Sequence, residues 1–363
     1  MGWSEKSAVC EQAGARGAFR FLWTLLLLLF LAGCGEHLHK QQSYVFGTLV
    51  EITVYGEARE KARRVTDQVL RDFDRMHQML HAWQPGPLET LNATLASASP
   101  ARPARADIDP ELAAMLTDAS RLSERSENLF NPAIGDLVRL WGFHSDTFES
   151  RLPERAEVAR LVAANPRMSD LRIEGATLEA SNPAVRLDLG GYAKGYALDR
   201  AATYLKSQGV HNALINIGGN ILALGDKGGQ AWKVGIQHPR RAGALAMLEL
   251  HDGEAIGTSG DYQRFFEVDG KRYCHLIDPR SGWPADQAQA VTVIAHGAHA
   301  GTLSDVASKP LFIAGPGDWP RLAAKMGIRE ALFIAADGSL GATRAMNARL
   351  IRDQSLAAVK VVD

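Results

Sequence analysis

Phe265-Phe266-Glu267-Val268 and Lys271-Arg272-Tyr273-Cys274 stand on either side of Asp269-Gly270. Two strand-forming runs joined by Asp-Gly fold back on each other, because the tight hairpin turn needs positive φ at both central residues. This part of the chain is therefore committed to antiparallel pairing. Val50, Ile52 and Val54 alternate with Glu51 and Thr53 as far as Gly56, the pattern of a half-buried strand. Leu214-Ile215-Asn216, Val291–Ile294 and Ala331–Ile334 read as further strands. Ala62, Val65, Val69, Phe73, Met76 and Leu80 recur at helical spacing and predict an amphipathic helix with a core-facing stripe. Asp109-Pro110-Glu111 opens a second helix, since Asp caps, Pro fits the first turn and Glu suits the dipole. Leu112, Met115, Ala119 and Leu122 give its buried face. Residues 153 to 163 predict a short helix that ends near Asn165-Pro166, and another helix runs from about Tyr192 to Gly209. Residues 84 to 107, with many Pro, Ala and Ser, read as an irregular connection. Strands that adjoin hairpins more than they alternate with helices predict an α+β fold of mixed sheets and packed helices. No GxGxxG follows the first strand, which argues against a Rossmann nucleotide site.

The N-terminus reads as a targeting segment. Arg16 and Arg20 precede the uncharged run Phe21–Leu31, and Leu31-Ala32-Gly33-Cys34 follows. This is the order of charged region, apolar region and small residues found in signal peptides. Leu-Ala-Gly-Cys resembles the lipobox of bacterial lipoproteins. The resemblance implies a signal peptide over residues 1–33, a mature chain over 34–363, and lipid such as palmitate on Cys34. The protein would then face the periplasm from the bacterial cell envelope, held to a membrane. The alternative is a signal anchor or short transmembrane helix, but the run is shorter than the ~20 residues that spanning needs. Cys10 would leave with the signal, so Cys274 alone remains in the fold, with no internal disulfide and no CxxC metal pair. Stability in an oxidising compartment must then come from the core. A net charge of −1 gives no broad basic field, so no nucleic-acid partner is expected.

Four polar, glycine-containing segments interrupt these apolar elements. They are Asn131–Asp136 followed by Leu140–Phe143, Asp188–Asp199, Asn216–Asn220, and Thr258–Tyr262 leading through the hairpin to His275–Gly282. Each by itself reads as a turn; four together point to a shared site on loops. In Asp188-Leu189-Gly190-Gly191-Tyr192-Ala193-Lys194-Gly195, the glycine pair lets backbone approach a ligand closely. The helix start behind it offers free amides to an anion. Asp188 is either the cap of that helix or a ligand contact. Lys194 is either solvated or directed at a phosphate. His275 is either structural or a site residue. Asp305 and Ser308 share a helix face, where two oxygen donors suit either Mg²⁺ or a simple hydrogen bond. Phe46 and Trp83 are core aromatics or stack on a ring.

With these segments in order, the chain resembles the ApbE family, the FAD:protein FMN transferases. The resemblance runs from Phe46-Gly47-Thr48 to Asp305–Gly315, essentially the whole mature chain. It implies the family's flavin-transferase fold, with two intimately associated lobes. It implies transfer of FMN from FAD to a Thr or Ser of an exported or membrane flavoprotein of an electron-transfer chain, with release of AMP. A non-catalytic FAD carrier and a Mg²⁺-dependent FAD pyrophosphatase are the alternatives. Carried onto this sequence, Phe46, Trp83, Ala133, Asp188, Lys194 and Ile277 would line the FAD site. Gly191, through its carbonyl, and Asp305 would hold Mg²⁺, with Ser308 or its neighbour Lys309 completing the set. His275 would be the base that takes the acceptor's proton, with Asp261 as second candidate, and Asp305 would share in catalysis through the metal. Lys309 stands where the family has Thr, and a protonated lysine has no lone pair to give a metal.

Overall fold

The computed structural model describes residues 38–145, 147, 149–351 and 358–363. Cys10, Cys34 and the targeting segment lie outside these. Among the described residues, no helix is long and apolar enough to cross a membrane.

Among the described residues, nine strands form one large sheet in which spatial order is chain order. They are β1 (Leu38–Val45), β2 (Thr48–Tyr55), β3 (Ala213–Ile217), β4 (Asn220–Leu224), β5 (Glu254–Gly260), β6 (Ala288–His296), β7 (Glu330–Ala335), β8 (Leu340–Thr343) and β9 (Val359–Val362). Neighbours pair antiparallel, except that β8 and β9 run parallel. The α+β expectation holds. The hairpin at Asp269-Gly270 forms as read, with φ of 51° and 74° at the two turn residues.

Helices cover one face of the sheet. They include α1 (Arg59–Leu80), α2 (Ala193–Ser207) and α3 (Ala300–Ala314). Val65, Phe73, Leu198 and Phe312 from these helices pack with Ile52, Ile215, Val293 and Phe333 of the sheet. The hairpin Trp232–Gln237/Ala244–Leu250 covers the other face, where Trp232, Ile236 and Leu248 meet Ile256, Ile294 and Leu332. Val293 and Ile294, adjacent in β6, thus enter opposite cores, as alternation in a strand requires. This double cover explains why β6 is buried along its length up to His296. A smaller aromatic core, built from Trp141, Phe143, Phe266, Tyr273 and Ile277, sits apart from these.

Residues 84 to 107 are not irregular. They hold a helix, Pro87–Leu95, and a strand, Ala104–Asp107. Pro87 occupies the first helical turn, and Leu88, Leu91 and Leu95 are buried. Helical spacing of leucines outweighs the breaker-rich composition around it. Asn92 on this helix clamps the loop ahead of α2, donating to Leu187 O at 2.9 Å and accepting from Leu187 N at 2.7 Å.

Candidate functional site

Helices α2 and α3 begin beside each other, and each N-terminus is closed by a carboxylate from the other. Asp199 accepts from Gly301 N (2.7 Å), Thr302 N (2.8 Å) and Thr302 Oγ1 (2.7 Å) at the start of α3. Asp305 Oδ2 accepts from Gly195 N (2.9 Å) in the first turn of α2. Opening amides of a helix lack intrahelical partners, and the positive end of the dipole favours the carboxylate. Asp188 does not cap α2. Its Oδ1 accepts from Gly190 N at 2.8 Å, closing a turn within the glycine loop. The N-cap residue, Tyr192, makes no side-chain cap bond.

Cations gather at this junction. Lys309 Nζ lies 2.6 Å from Asp305 Oδ1 and 2.7 Å from the Asp305 main-chain oxygen. Its stem crosses Gly191, where a Cβ would stand 2.9 Å from Lys309 Cε and 3.1 Å from Cδ. Burial pulls the Lys194 ammonium below the usual lysine range, with Asp305 opposing and Lys309 and Arg264 adding to the shift. His275 is pushed down to about 3, first by burial and then by the charges of Arg264, Lys194 and Lys309. Its Nδ1 lies 3.2 Å from the Arg264 carbonyl oxygen. A carbonyl only accepts, so Nδ1 carries the hydrogen and Nε2 keeps a lone pair. The imidazole is neutral and faces a local excess of positive charge.

The structure thus brings Gly191, Lys194, His275, Asp305, Ser308 and Lys309 together. Arg264 belongs with them and has no motif to announce it. It donates to Phe143 O and Ser145 O, both at 3.0 Å, so its place depends on two loops meeting. The aromatics sit elsewhere. Phe46 is in the β1–β2 turn at φ 56°, its ring 6.0 Å from Phe73 and 5.7 Å from His77. Trp83 lies between His144, at 5.5 Å, and the Arg186 guanidinium, 4.8 Å from the ring centre, a cation–π contact. Arg186 Nε is buried without a hydrogen-bond partner. Two expected flavin contacts are enclosed instead. Ala133 is fully buried, and its carbonyl accepts from Arg186 N at 3.1 Å. Ile277 packs in the aromatic core. Asp261, the second candidate base, is held by Arg240 through bonds of 2.7 and 2.6 Å, with Arg272 3.7 Å away. Cys274 is buried and its thiol is pushed up to about 12 by desolvation, so it is unreactive.

Of the ligand set expected for Mg²⁺, the Asp305 and Ser308 side chains are already engaged. Mg²⁺ needs free oxygen lone pairs in near-octahedral geometry. Asp305 Oδ2 is taken by Gly195 N, and Oδ1 by the Lys309 ammonium. Ser308 Oγ lies 2.9 Å from the Asp305 main-chain oxygen, to which it donates, and 2.7 Å from Ser259 Oγ. Lys309 brings positive charge to the place where a cation would sit. Among the described residues, no group of three or more His, Cys, Asp or Glu side chains is arranged to hold a metal. The residues present do not fit a divalent ion.

The depressed His275 pKa has a consequence for stability. The unfolded chain binds a proton near pH 6.5, and the folded chain only near 3. The unfolded state therefore takes up more protons as pH falls through that window, and stability falls with it. A His275→Asn variant is expected to show a flatter loss of stability between pH 6 and 4 than the parent, measured by urea unfolding. Parallel slopes would show that His275 is not shielded as described.

The fold and this junction define a class: an α+β protein built on one nearly all-antiparallel sheet, with helix-borne lysines and a neutral histidine suited to a phosphate-bearing ligand. The family follows from comparison with known proteins. The chain belongs to the ApbE family, whose model matches residues 46–333. It is 43% identical over 343 residues to a Rhodobacter capsulatus protein called FAD:protein FMN transferase, covering 93% of this chain and 64% of that protein. This chain thus spans less than two thirds of that relative's length. A Treponema pallidum protein of the same name is 30% identical, over 87% of this chain and 91% of its own. Among solved structures, the ApbE protein of Thermotoga maritima superposes with a TM-score of 0.78 at 28% identity, covering 87% of this chain and 100% of that one.

Proposed function

We propose that this protein is an FAD:protein FMN transferase. The observation that carries the reading is that the family match over residues 46–333 contains every element of the α2/α3 junction. In the reaction, the hydroxyl oxygen of an acceptor Thr or Ser forms a bond to the FMN phosphorus of FAD. The anhydride bond to the AMP phosphate breaks, and AMP leaves with the bridging oxygen. The hydroxyl proton passes to His275 Nε2 and from there to solvent. Catalysis of such transfers is mostly positioning and charge neutralisation. Lys194 and Lys309 supply the positive charge here. The pyrophosphate brings negative charge beside His275, which offsets the cations that hold its pKa down and raises its basicity when substrate is bound. Phe46 and Trp83 are the aromatic surfaces proposed for the isoalloxazine ring. The acceptor is proposed to be an exported or membrane-anchored flavoprotein, reached from the position that lipid on Cys34 would give the enzyme.

The test is incubation of the purified protein with FAD and a Thr-containing acceptor domain, in Mg²⁺ and in EDTA. Covalent FMN on the acceptor, seen by mass spectrometry, with AMP released in equal amount, is the expected result. Free FMN and AMP without acceptor labelling would make the protein a pyrophosphatase. Intact bound FAD alone would make it a carrier.

A further inference from the structure

The ApbE resemblance implies a divalent cation at Asp305, and this chain presents a lysine there instead. We infer that the Lys309 ammonium takes the place of that cation, so that the protein holds the FAD pyrophosphate without a divalent metal. The inference rests on the flavin-transferase reading for its ligand and on the geometry of the junction for the rest.

The Lys309 side chain is fixed at both ends of its reach. Its ammonium bonds Asp305 twice, through Oδ1 at 2.6 Å and the main-chain oxygen at 2.7 Å. Its stem lies against Gly191, where any side chain would strike Cε and Cδ. Helical spacing of four residues puts the two groups on one face, so the pair needs no rearrangement to form. The Asp305 side chain is 2% exposed and that of Lys309 16%, so the pair opens outward on the lysine side. An ammonium has three donors. Two face Asp305, and the third is left for an anion approaching from that open side. Lys194 feels the same Asp305 charge. The junction thus offers one ammonium bonded to the Asp305 carboxylate and a second, Lys194, within reach of its field. It also occupies the oxygens that a metal would need, because both Asp305 side-chain oxygens already accept hydrogen bonds and Ser308 is engaged with Ser259 and with the Asp305 backbone.

Two measurements on the purified full chain test this, and neither is turnover. Mn²⁺ alone is titrated in, with the free ion read by electron paramagnetic resonance. FAD binding is followed by flavin fluorescence in EDTA and in excess Mg²⁺. The parent protein is expected to hold no Mn²⁺ at this site and to bind FAD equally, within about twofold, in both buffers. Lys309→Thr, which supplies an oxygen and frees Asp305, is expected to hold Mn²⁺. It should bind FAD about tenfold or more weakly in EDTA and recover in Mg²⁺. Lys309→Met, which removes the charge and offers no oxygen ligand, should bind weakly in EDTA and recover less. A Mn²⁺ site in the parent that Asp305→Ala abolishes would overturn the inference, and so would parent FAD binding that EDTA weakens about tenfold. Full-strength binding by Lys309→Met in EDTA would do the same. If FAD binds under no condition, the transferase reading falls, and the Mn²⁺ titration of the parent still decides who occupies the Asp305 position.

Discussion

Gly195→Ala is expected to destabilise the protein by about 3 kcal/mol or more, read as a lowered urea midpoint with an unchanged slope. The sign runs against local preference, because Ala is better than Gly in a helix interior by about 1 kcal/mol. What reverses it is the approach of α2 to α3. A Cβ on Gly195 would collide with the Gly301 carbonyl oxygen and stand 2.7 Å from both Asp305 Cβ and Thr302 Cα. Two of these are backbone atoms and the third is a Cβ, so none can swing aside by changing rotamer. Relief requires the helices to part, and that pulls both reciprocal caps open, with Asp199 leaving α3 and Asp305 leaving α2. Flavin binding should fall with stability, since Lys309 moves with Asp305. Gly317→Ala is the control: a Cβ there meets nothing within 4 Å, and its effect should stay within about 0.5 kcal/mol. A midpoint raised by Gly195→Ala would mean that the helices do not cross as closely as described.

The same junction separates what the sequence reveals from what only the fold reveals. The antiparallel sheet is legible because hairpin signals and period-two alternation are local, and α1 is legible because its stripe repeats over about five turns. Its first and last predicted core residues, Ala62 and Leu80, fall within the observed Arg59–Leu80. The helix Pro87–Leu95 escapes notice because Pro85, Gly86 and Pro87 dominate local composition, although Leu88, Leu91 and Leu95 keep helical spacing. At the site, the residue types are legible and their partners are not. Asp188 precedes α2 but falls four residues short of its N-cap, Tyr192, and the carboxylate that serves is Asp305, 110 positions from the Gly195 amide that it accepts. No spacing rule spans that separation. Arg264 is invisible for the same reason, since its bonds go to Phe143 and Ser145 across a different loop. Lys309 is the intermediate case. Its pairing with Asp305 is an ordinary i,i+4 contact, but its meaning depends on Gly191 being beneath it and on Ser308 being turned to Ser259.

Asp305→Ala is expected to abolish FMN transfer and to lower stability by about 3–5 kcal/mol, because it strips one partner from a largely buried ion pair. The loss has two parts that a double variant can separate. One is the Gly195 amide, left without its acceptor at the start of α2. The other is the Lys309 ammonium, left in a mostly enclosed place with its carboxylate gone. Lys309→Met added to Asp305→Ala removes the stranded charge but not the open amide. The double variant should therefore recover part of the stability, with a coupling of about 1–3 kcal/mol between the two positions. Activity should behave oppositely. The double variant regains a compact junction but has lost the cation facing the pyrophosphate, so transfer should remain absent. Recovery of stability without recovery of transfer would show that the pair does more than hold α3 against α2. Simple additivity of the two substitutions, measured by urea unfolding at neutral pH, would show that Lys309 and Asp305 do not depend on each other.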